Sequence, residues 1–407
     1  MIIESGETIK YYWLKGPMSL IIEKGSVEIN GAFFQSGEHI VIHSSRSYTA
    51  KVFPGTKLTA TLGNESVFTE ASPEEAIVYE EWTKKADTLT ESCSGNQCTI
   101  LLLGDVDSGK TSFATMISNT YVRKGRIPYL IDTDPGQNTI GLPGFLSSVK
   151  FKLKSIWPKD VGWDKLYFLG KLSPAGVEKE VIAGILKLAK SAHNSLIVID
   201  TDGWVFGPAG EAYKYKIVNS LMPDYTVIIG DIGEKLKRLV VGESEVISLR
   251  PPPRRAMRSR EERRLLKSDK MIKLLEKGNA RSFGLCDTPI IAEGKIINYS
   301  ICLGKNAKRI QERSDELKVS IEESISSISN GKICALMGPD GWVKGAGVVI
   351  GIKGSDELLV KTDYGGEVKA IQIGYIRLND DLTLVEDQQR GEKIGNRAKA
   401  GRRLYAD

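Results

Sequence analysis

One eight-residue run, Gly104-Asp105-Val106-Asp107-Ser108-Gly109-Lys110-Thr111, constrains this chain more than anything else in it. It fits G-x-x-x-x-G-K-[ST]. It follows the apolar run Thr99-Ile100-Leu101-Leu102-Leu103 and opens a helix-forming stretch over 112–124. A buried strand, a glycine-rich turn and a helix in that order aim several backbone N–H groups, and the helix N-terminus, at one point that favours phosphate. The Lys110 ammonium can reach the outer phosphate oxygens, and the Thr111 hydroxyl is an expected ligand of Mg²⁺. Residues 104–112, ending on Ser112, are therefore the expected nucleotide site. No Asn/Thr-Lys-x-Asp guanine signature follows Lys110, which favours ATP. A structural turn without a ligand is the alternative.

Three more apolar runs, 129–132, 195–200 and 225–230, alternate with helix-forming segments, the pattern of an α/β fold with a mostly parallel sheet. The first of them ends in Asp132-Thr133-Asp134-Pro135-Gly136-Gln137. In such sheets ligands lie at the carboxyl ends of the strands. Asp134 is the one expected to face the outermost phosphate, where it can hold Mg²⁺ through water or take a proton from an attacking hydroxyl. Gln137 is placed to orient the acceptor or the metal's water. A simple turn remains the other reading of both.

The chain divides into three expected parts. Residues 1–85 carry short alternating segments (19–22, 26–29, 39–42, 57–62) split by turn residues, a small β domain. Residues 86–285 form the P-loop domain, joined by a helical bridge over 74–88. Residues 286–407 are rich in Val, Ile and Gly, a β-rich domain interrupted by an amphipathic helical stretch at 305–329. Among 407 residues, 41% are hydrophobic and 26% charged, which excludes disorder or coiled coil as a whole-chain description. No run approaches the roughly 18 apolar residues of a membrane helix, and the first residues lack a secretory pattern. The expected setting is the cytoplasm, or the nucleus in a eukaryote, with no membrane partner. The five cysteines are scattered and odd in number, so reduced thiols are expected, with neither a disulfide framework nor a structural metal.

Net charge is only +5, but the stretch 250–281 holds twelve Lys/Arg against four Asp/Glu. The rest of the chain is thus net negative. Three prolines open that stretch and helix-forming residues follow Ser259, so it reads either as a solvated helix with internal ion pairs or as a cationic element near phosphate. A second basic stretch, from Arg390 to Arg403, reads as a solvated tail, with RNA contact the lesser option.

Four features now stand in one order: the P-loop, Asp134-Pro135-Gly136-Gln137, Thr201-Asp202-Gly203-Trp204, and Arg258-Ser259 leading to Arg263-Arg264. That order resembles the polynucleotide 5′-hydroxyl-kinase family, which includes the kinase subunit of the mRNA 3′-end cleavage factor and the nucleolar rRNA-processing kinase. The resemblance is firm over about 95–285 and implies transfer of the ATP γ-phosphate to the 5′-hydroxyl of RNA, with DNA an open second acceptor. It implies Lys110, Asp134, Arg258 and Arg263 as catalytic residues, with Arg260 and Arg264 in reserve. Thr111 and Asp134 would serve Mg²⁺, and Gln137, Thr201, Gly203 and Trp204 would contact RNA. An indole face can stack on a base of any sequence. Glu7 would match an acidic contact to the nucleotide base, with His39 where the family has a basic one. Asp202 departs from the uncharged residue of the family's clasp and would weaken or tune RNA binding. RNA-processing proteins are the implied partners. Two other functions stay open: an ATP-loaded scaffold of an RNA-processing complex without turnover, and an NTPase driving a conformational change.

Overall fold

The computed structural model describes residues 1–386 except 45, 96, 193–194, 256–258, 293–294, 297–327 and 355–356. Arg258, His193, Cys302, all but the end of the 305–329 stretch and the basic tail from Arg390 therefore lie outside the described residues, as does the side chain of Arg260. The chain forms two compact units. The first comprises residues 1–142, 146–166 and 174–263, and the second 143–145, 167–173 and 264–407.

The first unit begins with nine short strands in two antiparallel sheets. One has the order β1 (Ile2–Glu4), β8 (Lys57–Leu62), β3 (Met18–Lys24), β6 (His39–Ile42). The other runs β5 (Ala32–Gln35), β4 (Ser26–Ile29), β7 (Ser47–Val52), β2 (Lys10–Lys15), β9 (Val67–Glu70). Along β3, β6, β7 and β8 alternate residues are buried, into a core shared by the two sheets that includes Leu14, Leu20, Ile29 and Leu58.

Helix α1 (Pro73–Ser92) follows. Its start is written locally: Ser72 Oγ accepts from Glu75 N at 3.2 Å, Glu75 returns the bond to Ser72 N at 2.7 Å, and Pro73 takes the first turn. It buries Val78, Tyr79, Trp82, Ala86 and Leu89 on the face that meets the P-loop domain's core.

That domain is an open sheet in the order β16 (Glu245–Leu249), β15 (Tyr225–Ile229), β10 (Cys98–Gly104), β14 (Leu196–Asp200), β11 (Tyr129–Asp132), β12 (Phe145–Lys150). All neighbours are parallel except β11 and β12. The central strands β10, β14, β11 and β15 are mostly apolar because helices α2 (Lys110–Arg123), α3 (Glu178–Lys190), α4 (Gly207–Leu221) and α5 (Glu234–Val241) connect and cover them. Register sets Asp132 opposite Asp200, and Asp200 opposite Leu102. Three functional segments thereby leave adjacent strand ends together. Strand β13 (Lys165–Phe168) precedes α3, and helix α6 (Arg260–Glu276) opens behind a second capping box, Ser259 with Glu262.

The second unit contains β17 (Asn279–Gly284), β18 (Ile290–Ala292), β19 (Lys295–Ile296), β20 (Lys332–Met337), β21 (Val343–Lys353), β22 (Glu357–Thr362), β23 (Ala370–Leu378) and β24 (Leu384–Glu386). They pair as β17-β22-β21-β20-β23-β18-β19, with β24 against the long β23, around Leu336, Val349, Val360 and Ile371. The α/β fold with a small N-terminal β region and a β-rich C-terminal region matches the reading of the sequence.

The cysteines do not. Cys93 and Cys98 form a disulfide across the turn that carries the end of α1 back into β10, with Cα atoms 5.4 Å apart. Cys286 is disulfide-bonded as well. Spacing along the chain gave no hint of the reversal that brings Cys93 to Cys98; only the packing of α1 on the sheet does so.

Candidate active site

The loop between β10 and α2 curls because two of its residues take left-handed backbone: Asp107 at φ 56° and Gly109 at φ 103°. Successive N–H groups then turn inward as an anion-binding nest at the N-terminus of α2. Gly109 is required twice over. Besides its φ, a Cβ there would stand 2.6 Å from the Trp82 ring. Lys110 is buried, and its ammonium donates to the loop carbonyls of Gly104 at 2.8 Å and Asp105 at 2.7 Å.

Beside the loop stand three carboxylates. Asp200 ends β14 and accepts from the Thr111 hydroxyl at 2.6 Å, while its Oδ1 is buried without a partner. Asp132 ends β11, accepts from the Thr139 hydroxyl at 2.6 Å and from Asp134 N at 3.1 Å. Asp134 is half-buried, and its Oδ1 accepts from Gly136 N and Gln137 N, both at 2.8 Å. Burial pushes all three carboxyl groups above the usual range. The charge of Asp134 raises Asp132 further, that of Asp132 raises Asp200, and Asp202 adds to the rise at Asp134 while Lys110 opposes it.

The 201–204 segment leaves β14 directly behind the loop. Thr201 is buried and its hydroxyl donates to Leu102 O at 2.7 Å. Gly203 touches the P-loop backbone: a Cβ would lie 2.5 Å from Val106 Cγ2 and 2.6 Å from Val106 N. Asp202, expected near an RNA backbone, is instead buried and paired with Lys214 at 2.8 Å. Trp204 is half-buried against Tyr213, with ring centroids 5.6 Å apart.

One cavity, with about 1340 Å³ of empty space opening to solvent, unites these parts. Residues 106–112, Asp134, Gln137, Thr201 and Gly203 line it; Gly104, Asp105 and Trp204 stand just outside the lining. Glu7 and His39 are exposed and are not part of the lining. The far wall comes from the N-terminal strands and α1, with Trp13, Tyr48, Tyr79 and Trp82. Arg254 stacks over Trp13 at 4.6 Å and pairs with the buried Glu75 at 3.1 Å. Two more arginines grip the loop itself. Arg255 donates to Asp107 O at 2.7 Å, and Arg263 forms a short ion pair with the Asp107 carboxylate.

Sequence reading assigned no role to Asp200 or the aromatic wall, and none to Arg254 and Arg255 beyond their place in the cationic 250–281 stretch. Asp200 had a signal, an acid closing the apolar run Leu196–Asp200 one strand from the P-loop. The other residues act through tertiary contacts no local pattern records.

Mg²⁺ takes near-octahedral oxygen ligands and in nucleotide sites uses one or two protein groups plus phosphate and water. The oxygens of Thr111, Asp134 and Asp200, with Asp200 Oδ1 unpartnered, fit that chemistry. Among the described residues no three His, Cys, Asp or Glu side chains form a complete cage.

Residues 104–277 match the family described as mRNA cleavage and polyadenylation factor CLP1 P-loop. The chain is 25% identical over 366 residues to a polyribonucleotide 5′-hydroxyl-kinase of Pyrococcus horikoshii, covering 82% of this chain and 95% of that protein. It is 29% identical over 201 residues to another from Methanocaldococcus jannaschii, covering 47% and 54%. A solved Clp1p–Pcf11p complex shares the fold, with a TM-score of 0.66 at 12% identity over 93% of this chain and 97% of that one.

Proposed function

We propose, on the premise that the region 104–277 belongs to the CLP1 P-loop family, that this chain is an ATP-dependent polynucleotide 5′-hydroxyl kinase acting on RNA ends. The observation that carries the reading is the single cavity in which the P-loop, the Asp134–Gln137 turn and the 201–203 segment meet. Each supplies one need of phosphoryl transfer, which depends on positioning and charge stabilisation rather than covalent catalysis.

The nest of loop amides and Lys110 binds the triphosphate tail. Asp134 accepts the proton of the attacking 5′-hydroxyl, and Gln137 orients the acceptor beside it. Thr111, Asp134 and Asp200 would hold Mg²⁺, which neutralises phosphate charge when bound. Arg263, and Arg258 beyond the described residues, present guanidinium groups to the transferring phosphoryl group; Arg263 already reaches Asp107 on the loop. Thr201 and Gly203 fix the segment from which Trp204 stacks on the terminal base. The aromatic wall with Trp13 and Arg254 faces the nucleotide's base end. RNA-processing proteins are the corresponding partners, in the cytoplasm or, in a eukaryote, the nucleus. No helix among the described residues is long and apolar enough to cross a membrane.

Incubation with γ-labelled ATP, Mg²⁺ and a 5′-hydroxyl oligoribonucleotide tests the reading. Label should appear at the 5′ end, and Lys110→Ala should lower transfer by at least about a hundredfold. A wild-type protein that hydrolyses or retains ATP without labelling the RNA overturns it.

A further inference from the structure

Within the 201–204 segment, position 202 is the one side chain that the phosphoryl-transfer scheme leaves without a task, and it is a carboxylate only 4% exposed. Its Oδ1 accepts from the Trp204 backbone N–H at 2.9 Å. Its Oδ2 accepts from the Tyr213 hydroxyl at 2.9 Å and lies 2.8 Å from Lys214 Nζ. Lys214 is fully buried on α4. A buried ion pair seldom stabilises a fold more than an apolar pair of the same shape, because two desolvations offset the attraction. What such a pair does supply is a fixed geometry.

Here the fixed element is the tryptophan. The Tyr213 ring, tied to Asp202 through its hydroxyl, packs on the Trp204 ring at 5.6 Å. Gly210, one turn earlier on α4, leaves room for the indole: a Cβ there would lie 2.8 Å from Trp204 Nε1. On the other side Gly203 rests on Val106 of the P-loop. The backbone of Trp204, its ring and its distance from the phosphate loop are thus all set from one buried anchor.

We propose that Asp202 and Lys214 are positioning residues, a buried ion pair that orients Trp204 for the acceptor strand. This rests on the kinase reading above. The pair also spares the site a further free negative charge, since Lys214 balances the carboxylate of this segment whose charge reaches Asp134.

The test is steady-state transfer to a 5′-hydroxyl oligoribonucleotide by the full chain, comparing wild type with Asp202→Asn/Lys214→Met. The double variant removes both charges, keeps the volumes and retains an acceptor for Trp204 N–H. It should raise the KM for RNA about tenfold while the KM for ATP moves less than about twofold. In a Trp204→Ala background the same double change should alter the RNA KM by less than about twofold, because the groups act as one unit. A double variant with wild-type RNA KM overturns the proposal, as does an equal rise in both KM values or an effect that adds fully to Trp204→Ala. If circular dichroism shows the double variant unfolded, Tyr213→Phe, which cuts only the tie between Asp202 and the ring that packs on Trp204, carries the same three comparisons. Wild type that transfers no label removes the kinase reading, and the positioning role with it; wild-type transfer with indifferent variants removes the positioning role alone.

Discussion

Asp200 and Asp132 are neighbours across β14 and β11; burial desolvates both carboxylates, the charge of Asp132 opposes that of Asp200, and Asp134 opposes Asp132. A native acid whose pKa is raised binds more protons than the unfolded chain, so stability is lost as pH rises from the unfolded value near 3.9 through the raised native one. Asp200→Asn removes part of that cost while keeping an acceptor for Thr111. Thermal unfolding of the nucleotide-free protein should show the variant more stable at pH 8 by about 1–3 kcal/mol, with the gain shrinking toward pH 4. A variant no more stable at pH 8 contradicts this electrostatic picture. The same residue shows where sequence reading stopped. Asp134 was legible because it shares a short turn with Gln137; Asp200 owes its place to register with another strand, which periodicity does not report. Asp202 read as an extra charge beside an RNA backbone because Lys214, the group that balances it, lies a dozen residues away on a helix.

At the level of elements, the site is a set of strand ends and the turns they release. The P-loop was readable in full, since an apolar strand, a fixed glycine spacing and a helix start are all local. Its contacts with the 201–204 turn were not. Gly203→Val should show how closely the two are fitted: the new side chain would meet Val106 N, which is backbone and cannot rotate aside. Overpacking of that kind costs about 1–3 kcal/mol, so the Kd for ATP should rise about tenfold by calorimetry. Unchanged affinity would mean that the loop moves freely from the turn. The arginine-rich segment is tethered to the same loop through Arg255 and Arg263, both meeting Asp107. Asp107→Ala keeps the carbonyl that Arg255 uses but removes the carboxylate that Arg263 uses. In the absence of nucleotide, trypsin should then cut the 254–264 segment several times faster than in wild type; equal rates would show that the ion pair does not restrain it.

Across the first unit as a whole, the N-terminal strands and the P-loop domain are joined by buried polar groups. Asn119 of α2 donates to Asn30 O and Ser155 O, both at 2.8 Å, and accepts from Ser155 N at 3.1 Å. Asn30 in turn donates to Ile156 O at 3.2 Å. Asn119→Ala would leave these backbone groups unpaired, at about 1–3 kcal/mol for each buried group stranded. A fall in the midpoint of chemical denaturation should follow, with the N-terminal strands and α2 losing amide protection together; separate loss would contradict a shared unit. Sequence reading separated residues 1–85 by composition and recognised their β character, but the network that ties them to α2 consists of single asparagines with no pattern around them. Charge, by contrast, was readable at this scale. Because the cationic excess is concentrated in 250–281, kcat/KM for RNA should fall more steeply with salt than the affinity for ATP.

Trp82 touches most of what has been described. Its indole N–H donates to Arg250 O at 2.9 Å at the base of the arginine-rich segment, its ring meets Phe113 on α2 at 5.2 Å, and it lies against Gly109 of the phosphate loop. A fluorophore so placed makes the molecule its own gauge. With Trp157, Trp163 and Trp342 changed to phenylalanine and the site tryptophans kept, the emission would follow filling and emptying of the cavity in real time, on unlabelled protein and with natural substrates.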